Sequence, residues 1–361
     1  MSRPSFRLAH RRLSLLVVST LFASLLLAAC LPLEHALRFL SLVAEAERTL
    51  HRPTVVPSHQ DSDLVGPLWT VDRLYATSNF GNPEICATHS GVALSGSWGS
   101  SLHDGVLLLD AASGEPVWTE SGLVSWHIAC SPDAVFLGGN YSVWRRNSDT
   151  GRAEWHRGVR VPGDIIHLHL ADGAVYIWTR PHDATTIFDA ITGETLPLPP
   201  VNDGRQLLLV RGDAAYAGYG SLSFYYQGAD QPQWRAVLSA SIYETPTFTD
   251  SIIYARSGEH LGRVYALEGS SGEVLWSTDA NIRSNLVVTS QALYVLTDRG
   301  ELQSLDPVSG ESTTLTIFQP GNLSTGLDTG GYYIALSDET STLYVYLGLT
   351  YELMAFHLRS R

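Results

Sequence analysis

From residue 64 onward the chain alternates short apolar runs with turn-forming residues, and one apolar string keeps returning. It reads Val92-Ala93-Leu94, Val135-Phe136-Leu137, Val175-Tyr176-Ile177, Ala215-Tyr216-Ala217, Ile253-Tyr254-Ala255, Leu293-Tyr294-Val295 and Leu343-Tyr344-Val345. The first six strings follow one another at about forty residues and the last after about fifty, a period that accommodates four short strands per repeat. An alternative register takes Tyr332-Tyr333-Ile334 as the seventh string. β-Branched and aromatic residues favour strands, so the pattern predicts an all-β chain of seven four-stranded units arranged as a β-propeller.

A second motif follows each string. It is clearest in Gly105–Trp118 (GVLLLDAASGEPVW) and Arg263–Trp276 (RVYALEGSSGEVLW). Shorter echoes are Asp149-Thr150-Gly151, Asp189 to Gly193 and Asp306 to Gly310, and Gln227 to Trp234 is a copy without the glycine. An acid and a Ser or Thr can hydrogen-bond a turn backbone, and Gly supplies the positive φ that closes a short hairpin. The Trp then falls on the outgoing strand, where a large ring packs between sheets.

The last unit supplies a string and one further strand before the chain ends. Gly66–Asp72 (GPLWTVD), far upstream, has the character of the missing outer strand. Pairing it there would close the ring and cover an open edge, placing Trp69 beside Met354. On this reading, removing the chain up to Gly66 leaves stability intact, whereas loss through Val71 destabilises it.

The first 63 residues follow other patterns. Met1–Arg12 carries Arg3, Arg7, Arg11 and Arg12 and no acid, and Leu13–Ala29 is an uncharged apolar run. That order is an export signal, with the remainder of the chain translocated. The run ends in Leu27-Ala28-Ala29-Cys30, which resembles a bacterial lipobox with Cys30 as the lipidated residue. The apolar stretch through Leu33 is also long enough to remain as an uncleaved apolar helix. Residues 1–30 are therefore read as signal peptide with lipobox or membrane anchor, 31–63 as a short helix and linker, and 64–361 as the propeller.

Composition narrows the function. The chain carries 23 basic residues, every one Arg, against 36 acids, for a net charge of −13. A chain so acidic lacks the footprint of a nucleic-acid binder. Without Lys there is neither Schiff-base chemistry nor a phosphate-loop lysine. His167 and His169 share a strand face, but two imidazoles alone do not make a metal site, and no cofactor or metal is expected. Cys86 and Cys130 stand just upstream of the first two strings, so adjacent inner strands could bring them into a disulfide outside the cytoplasm; two separately buried thiols are the alternative. Phe80, Trp98, Trp126 and His127 fall at loops and rim positions and are the candidate partner-binding residues.

The units Gly105–Trp118 and Arg263–Trp276 resemble the pyrroloquinoline-quinone (PQQ)-type propeller repeat. Proteins with this repeat include quinone-dependent dehydrogenases and the lipoprotein scaffold of the outer-membrane β-barrel assembly machine. The dehydrogenases carry vicinal cysteines, whereas Cys30, Cys86 and Cys130 are far apart here. The resemblance therefore implies a non-catalytic, extracytoplasmic scaffold that is tethered to the membrane and contacts another envelope protein. A propeller that binds carbohydrate or a small ligand, and a quinoprotein-like enzyme with a channel site, are the alternatives.

Overall fold

The computed structural model describes residues from Thr54 to Arg359 apart from short intervening segments, the longest being 76–83 and 320–331. The expected signal, lipobox and N-terminal helix lie outside the described residues. Among the described residues the strands assemble into seven antiparallel sheets, each ordered from an innermost to an outermost strand.

In chain order, the first sheet is built on Gly91–Trp98, His103–Asp110 and Pro116–Ser121. The second comprises His127–Ser131, Ala134–Gly139, Ser142–Asn147 and Ala153–Gly158, and the third Asp164–Ala171, Ala174–Arg180, Ala184–Asp189 and Thr195–Leu196. The fourth comprises Gln206–Arg211, Ala214–Gly218, Ser221–Tyr226 and Trp234–Val237, and the fifth Thr247–Phe248, Ile252–Ser257, Arg263–Glu268 and Val274–Ser277. The sixth runs Val287–Val288, Leu293–Leu296, Glu301–Leu305 and Ser312–Gln319, and the seventh Tyr332–Ser337, Thr342–Leu347 and Glu352–Leu358. All seven recurring strings lie on the second strand from the centre.

These sheets pack face to face in a circle. Ala93, Val106 and Leu108 of the first sheet bury against Ile128, Val135 and Leu137 of the second. Phe136 and Trp155 of the second meet Val175 and Phe188 of the third. One cluster joins the third, fourth and fifth through Tyr176, Leu222 and Ile253. Val264 packs with Leu293 between the fifth and sixth, and Leu302 with Val345 between the sixth and seventh. Tyr344 and Tyr346 of the seventh return to Val92 and Leu94 of the first. Each fully buried Val, Leu or aromatic contributes about 2 kcal/mol of transfer free energy, so the sheet faces rather than the channel hold the fold. The architecture is an all-β propeller.

An early and a late strand meet in the seventh sheet. Leu64–Val71 is its outermost strand, with Trp69 opposite Ala355 and Thr70 opposite Met354. The register is thus the one in which the N-terminal strand completes the last unit, and Tyr332–Ser337 is the innermost strand of that sheet.

Three sheets depart from the uniform four-stranded unit. Thr54–Pro57, within the stretch expected to be linker, adds a fifth strand to the outer edge of the sixth sheet. The innermost position of the first sheet is shared by two short strands, Leu74–Tyr75 and Ile85–Ala87, both paired with Gly91–Trp98. The outer strand of the third sheet stops after two residues because Pro197, Pro199 and Pro200 follow, and proline donates no ladder hydrogen bond. Because Thr54–Pro57, Leu64 and Val65 are all paired, the expected tolerance to losing everything before Gly66 is revised: that cut removes structured strands from two sheets.

Candidate functional site

The recurring hairpin uses one set of hydrogen bonds in the first, second, third and sixth sheets, whereas in the fifth Glu268 accepts from the Ser271 N–H and the Ser270 hydroxyl. The Asp110 carboxylate accepts from the Ala112 and Ser113 backbone N–H groups and from the Ser113 hydroxyl, and Gly114 closes the turn at φ 71°. Asp189 and Asp306 do the same with Thr192 and Ser309. In the second sheet the acceptor is Asn147, bound by Asp149 N–H, Thr150 N–H and the Thr150 hydroxyl, so the acid expected at Asp149 is not the turn acceptor.

These bonds keep the carboxylates ionised. Asp110 lies below its ordinary pKa chiefly through the Ser113 hydroxyl, and Asp189 and Asp306 through the Thr192 and Ser309 backbone N–H groups. Strand direction alternates across a sheet, so all these hairpins open on the same face of the ring as the turns joining the two inner strands. Ala111 N–H reaches the Ser90 carbonyl at 3.0 Å and Ala190 N–H the Gly173 carbonyl at 2.8 Å across those two kinds of turn.

Five of the hairpins also receive an indole from the preceding sheet. The Nε1–H of Trp69 donates to the Ala111 carbonyl (2.9 Å), Trp118 to Ser148 (2.7 Å), Trp155 to Ala190 (3.2 Å), Trp234 to Gly269 (3.0 Å) and Trp276 to Pro307 (3.1 Å). A Cβ placed on Gly114, Gly151, Gly193, Gly272 or Gly310 would come within 3.0 Å of the same indole. The glycine thus serves twice, for positive φ and for ring contact. These five Trp–Gly locks fix neighbouring sheets in one relative position.

The distinctive polar cluster lies on the inner strands of the first two sheets. Glu84 precedes Ile85–Ala87 and is fixed by its backbone, whose N–H donates to Ser95 Oγ at 3.1 Å and whose carbonyl accepts from Ser95 N–H at 3.0 Å. Its carboxylate crosses to the second sheet, taking His127 Nδ1 at 2.6 Å and the Ile128 N–H at 2.8 Å. Cys86 and Cys130 lie on the same two strands, with Cα atoms 5.5 Å apart and sulfurs joined in a disulfide at 2.13 Å. One ionic and one covalent clasp therefore bridge the same pair of strands.

The His127 imidazole is 18% exposed. Burial acts against its charged form, but the Glu84 carboxylate and hydrogen bonds to Glu84 and the Ile165 backbone outweigh this and raise its pKa above the ordinary 6.5. A raised folded pKa means that the stabilisation is complete below about pH 6.5 and is lost as pH rises through the folded value. Glu84→Gln is expected to cost about 2 kcal/mol near pH 6 and less near pH 9, read from urea unfolding. Equal losses at the two pH values would show that His127 carries no charge in the fold.

Among the other sequence candidates, Cys30, Phe80 and Trp126 lie outside the described residues. Trp98 ends its strand opposite His103 and Leu74. His169 stacks on Tyr176, ring centroids 4.7 Å apart, and His156 on Trp144 at 4.8 Å. Among the described residues no three His, Cys, Asp or Glu side chains form a metal-ligating group. Glu84 went unnoticed in the sequence, although its place two residues before Cys86 mirrors that of His127 three before Cys130.

The family model for outer membrane protein assembly factor BamB matches residues 163–317. The chain is a β-propeller, and the matched residues resemble the PQQ-like repeats of BamB. No curated protein matches it in sequence. Among solved structures, BamB from Moraxella catarrhalis aligns over 85% of this chain and 99% of its own, at 16% identity and a TM-score of 0.49. A chain of the mitotic checkpoint complex aligns over 84% and 95%, at 11% identity and a TM-score of 0.62. The Cps50 (Swd1) β-propeller domain of Myceliophteria thermophila aligns over 81% and 100%, at 11% and 0.58. At these identities the last two likenesses establish the fold of the propeller alone.

Proposed function

We propose that this protein is a non-catalytic interaction scaffold of the cell envelope, exported by its N-terminal signal and held at the membrane through Cys30 or an uncleaved N-terminal helix. On this reading the seven sheets are the seven blades of one rigid closed ring, and the hairpin face is the surface presented to a partner protein. One observation carries the reading. The Trp indoles, Glu84 and His127 are spent joining sheet to sheet, while the exposed carboxylates of the hairpins are held ionised on a single face. Fixed charge on a rigid ring suits recognition of a basic protein surface, accelerating encounter and setting orientation. The Cys86–Cys130 bond fits an oxidising compartment.

The test is cross-linking of the full-length protein in its native membrane, followed by mass spectrometry of the captured partner. The triple variant Asp110→Asn, Asp189→Asn, Asp306→Asn removes three charges and keeps the turns, because Asn147 already makes the same hydrogen bonds. One specific partner is expected, with recovery reduced in the variant at low salt. Equal recovery from both proteins would remove the hairpin face from the proposal. Capture of no specific partner would defeat the scaffold reading itself.

A further inference from the structure

Five sheet boundaries carry a Trp–Gly lock and two do not. Trp118, Trp155 and Trp276 each follow the hairpin glycine of their own sheet by four residues, and the same place after Gly193 and Gly310 holds Pro197 and Thr314. The third and sixth sheets therefore offer no indole to their successors.

At the boundary between the sixth and seventh sheets the cause is topological. A lock needs a hairpin between the third and outermost strands of the receiving sheet. In the seventh sheet those strands are Glu352–Leu358 and Leu64–Val71, from opposite ends of the chain, so no hairpin joins them. Closing the ring with an N-terminal strand removes the receptor for the lock at that boundary.

Other contacts gather there. The Asn285 side chain donates to the Ile334 carbonyl at 2.8 Å and accepts the Ile334 N–H at 2.9 Å, joining the two sheets near the centre. The Arg283 guanidinium lies 4.9 Å from the Tyr332 ring centroid. Further out, Phe318 of the sixth sheet meets Phe356 of the seventh, centroids 5.8 Å apart. At the periphery the N-terminal segment pairs with both sheets. Val55 stands opposite Phe318 and Val56 opposite Ile317, whereas Leu64 stands opposite Leu358. Gly66 lies so close to Phe356 that a Cβ would be 3.0 Å from that ring. Phe318, Phe356 and Gly66 thus form a continuous path to the closing strand, and Val55 of the fifth strand stands in register with Phe318 at its start.

We propose that the two paired strands Thr54–Pro57 and Leu64–Val71 together staple this boundary, Thr54–Pro57, fixed on the sixth sheet, holding the ring-closing strand on the seventh. A closing strand anchored only at its C-terminal end would fray from the free end. Pairing the preceding residues to the neighbouring sheet keeps Leu64–Val71 at high effective concentration beside Glu352–Leu358. Any pull on the N-terminal tether is then borne first by the sixth sheet and not by the strand that closes the ring.

Hydrogen exchange on the full-length protein tests this. Val55→Pro with Val56→Pro removes the one ladder donor these two adjacent residues supply, whichever of them carries it. Exchange is expected to rise at least about tenfold in Ser312–Gln319 and also in Leu64–Val71 and Glu352–Leu358, leaving His103–Asp110 unchanged. The converse variant, Thr54→Cys with Gln319→Cys, joins facing residues, and its oxidised form should slow exchange of Leu64–Val71 relative to its reduced form. Unchanged exchange of the closing strand in the proline variant would overturn the staple. Were the proline variant to exchange faster everywhere, the oxidised cysteine pair would decide, and no slowing there would overturn it equally.

Discussion

Gly310→Ala is expected to destabilise the protein by about 3 kcal/mol, and Gly173→Ala by about 1 kcal/mol. The two glycines share nearly the same backbone, with φ of 73° and 72°, so the left-handed penalty for a Cβ is common to both. Their surroundings differ. A Cβ at Gly310 would lie 2.6 Å from Cδ2 of Trp276, whereas nothing lies within 4 Å of one at Gly173. The excess at Gly310 therefore measures the lock. The indole cannot yield freely, because its Nε1–H is bonded to the Pro307 carbonyl at 3.1 Å and its ring lies 6.0 Å from that of Tyr254. A double-mutant cycle separates the terms. Trp276→Ala alone should cost about 3 kcal/mol, and adding Gly310→Ala in that background about 1 kcal/mol more, because the obstructing ring has gone. Chemical denaturation of the four proteins checks the cycle. Full additivity would mean that the indole moves aside at no cost and that the boundary is not locked.

The locks explain why the fold could be read from the sequence with little else. A complete repeat holds an acceptor residue, a positive-φ glycine and the tryptophan that enters the next lock, and Arg263–Trp276 displays all three at close spacing. The ring closure was legible for the same reason: Trp69 carries the signature of an outer strand at the wrong end of the chain. Some features had no comparable signal. Asn147 performs the work of an aspartate, so attention to acids selected Asp149, which lies in the same turn two residues later. Thr54–Pro57 is four residues long, sits between prolines and pairs with a strand more than 250 residues away, so no local pattern marks it. The clasp was half visible. The cysteines announce themselves by position, but Glu84 stands just before a three-residue strand whose partner is recognisable only once the two sheets are side by side. His127, chosen as a candidate partner-binding residue, lies on the inner strand of the second sheet. The chemistry found at His127 is internal, directed at Glu84 rather than outward.

Replacing both Cys86 and Cys130 with Ser is expected to lower stability by about 4 kcal/mol, the loop-closure entropy for a cross-link spanning 44 residues. The effect acts mainly on the unfolded chain, because the bond joins two inner strands of adjacent sheets that the fold already places side by side. Glu84 holds the same strands through His127 and the Ile128 N–H, so the native arrangement should survive the substitution, with a lower unfolding midpoint and normal secondary structure. Reductant supplies the internal control. Wild-type protein unfolded with reductant should match the double variant, and the double variant should be indifferent to it. A wild type equally stable with and without reductant, despite both thiols titrating once reduced, would show that the ionic clasp and the sheet packing suffice. Adding Glu84→Gln to the double variant then asks whether the clasps are redundant. Each holds Ile85–Ala87 against the second sheet, so loss of both should cost more than the sum of the single losses, with the excess appearing as faster exchange of the Ile85–Ala87 amides.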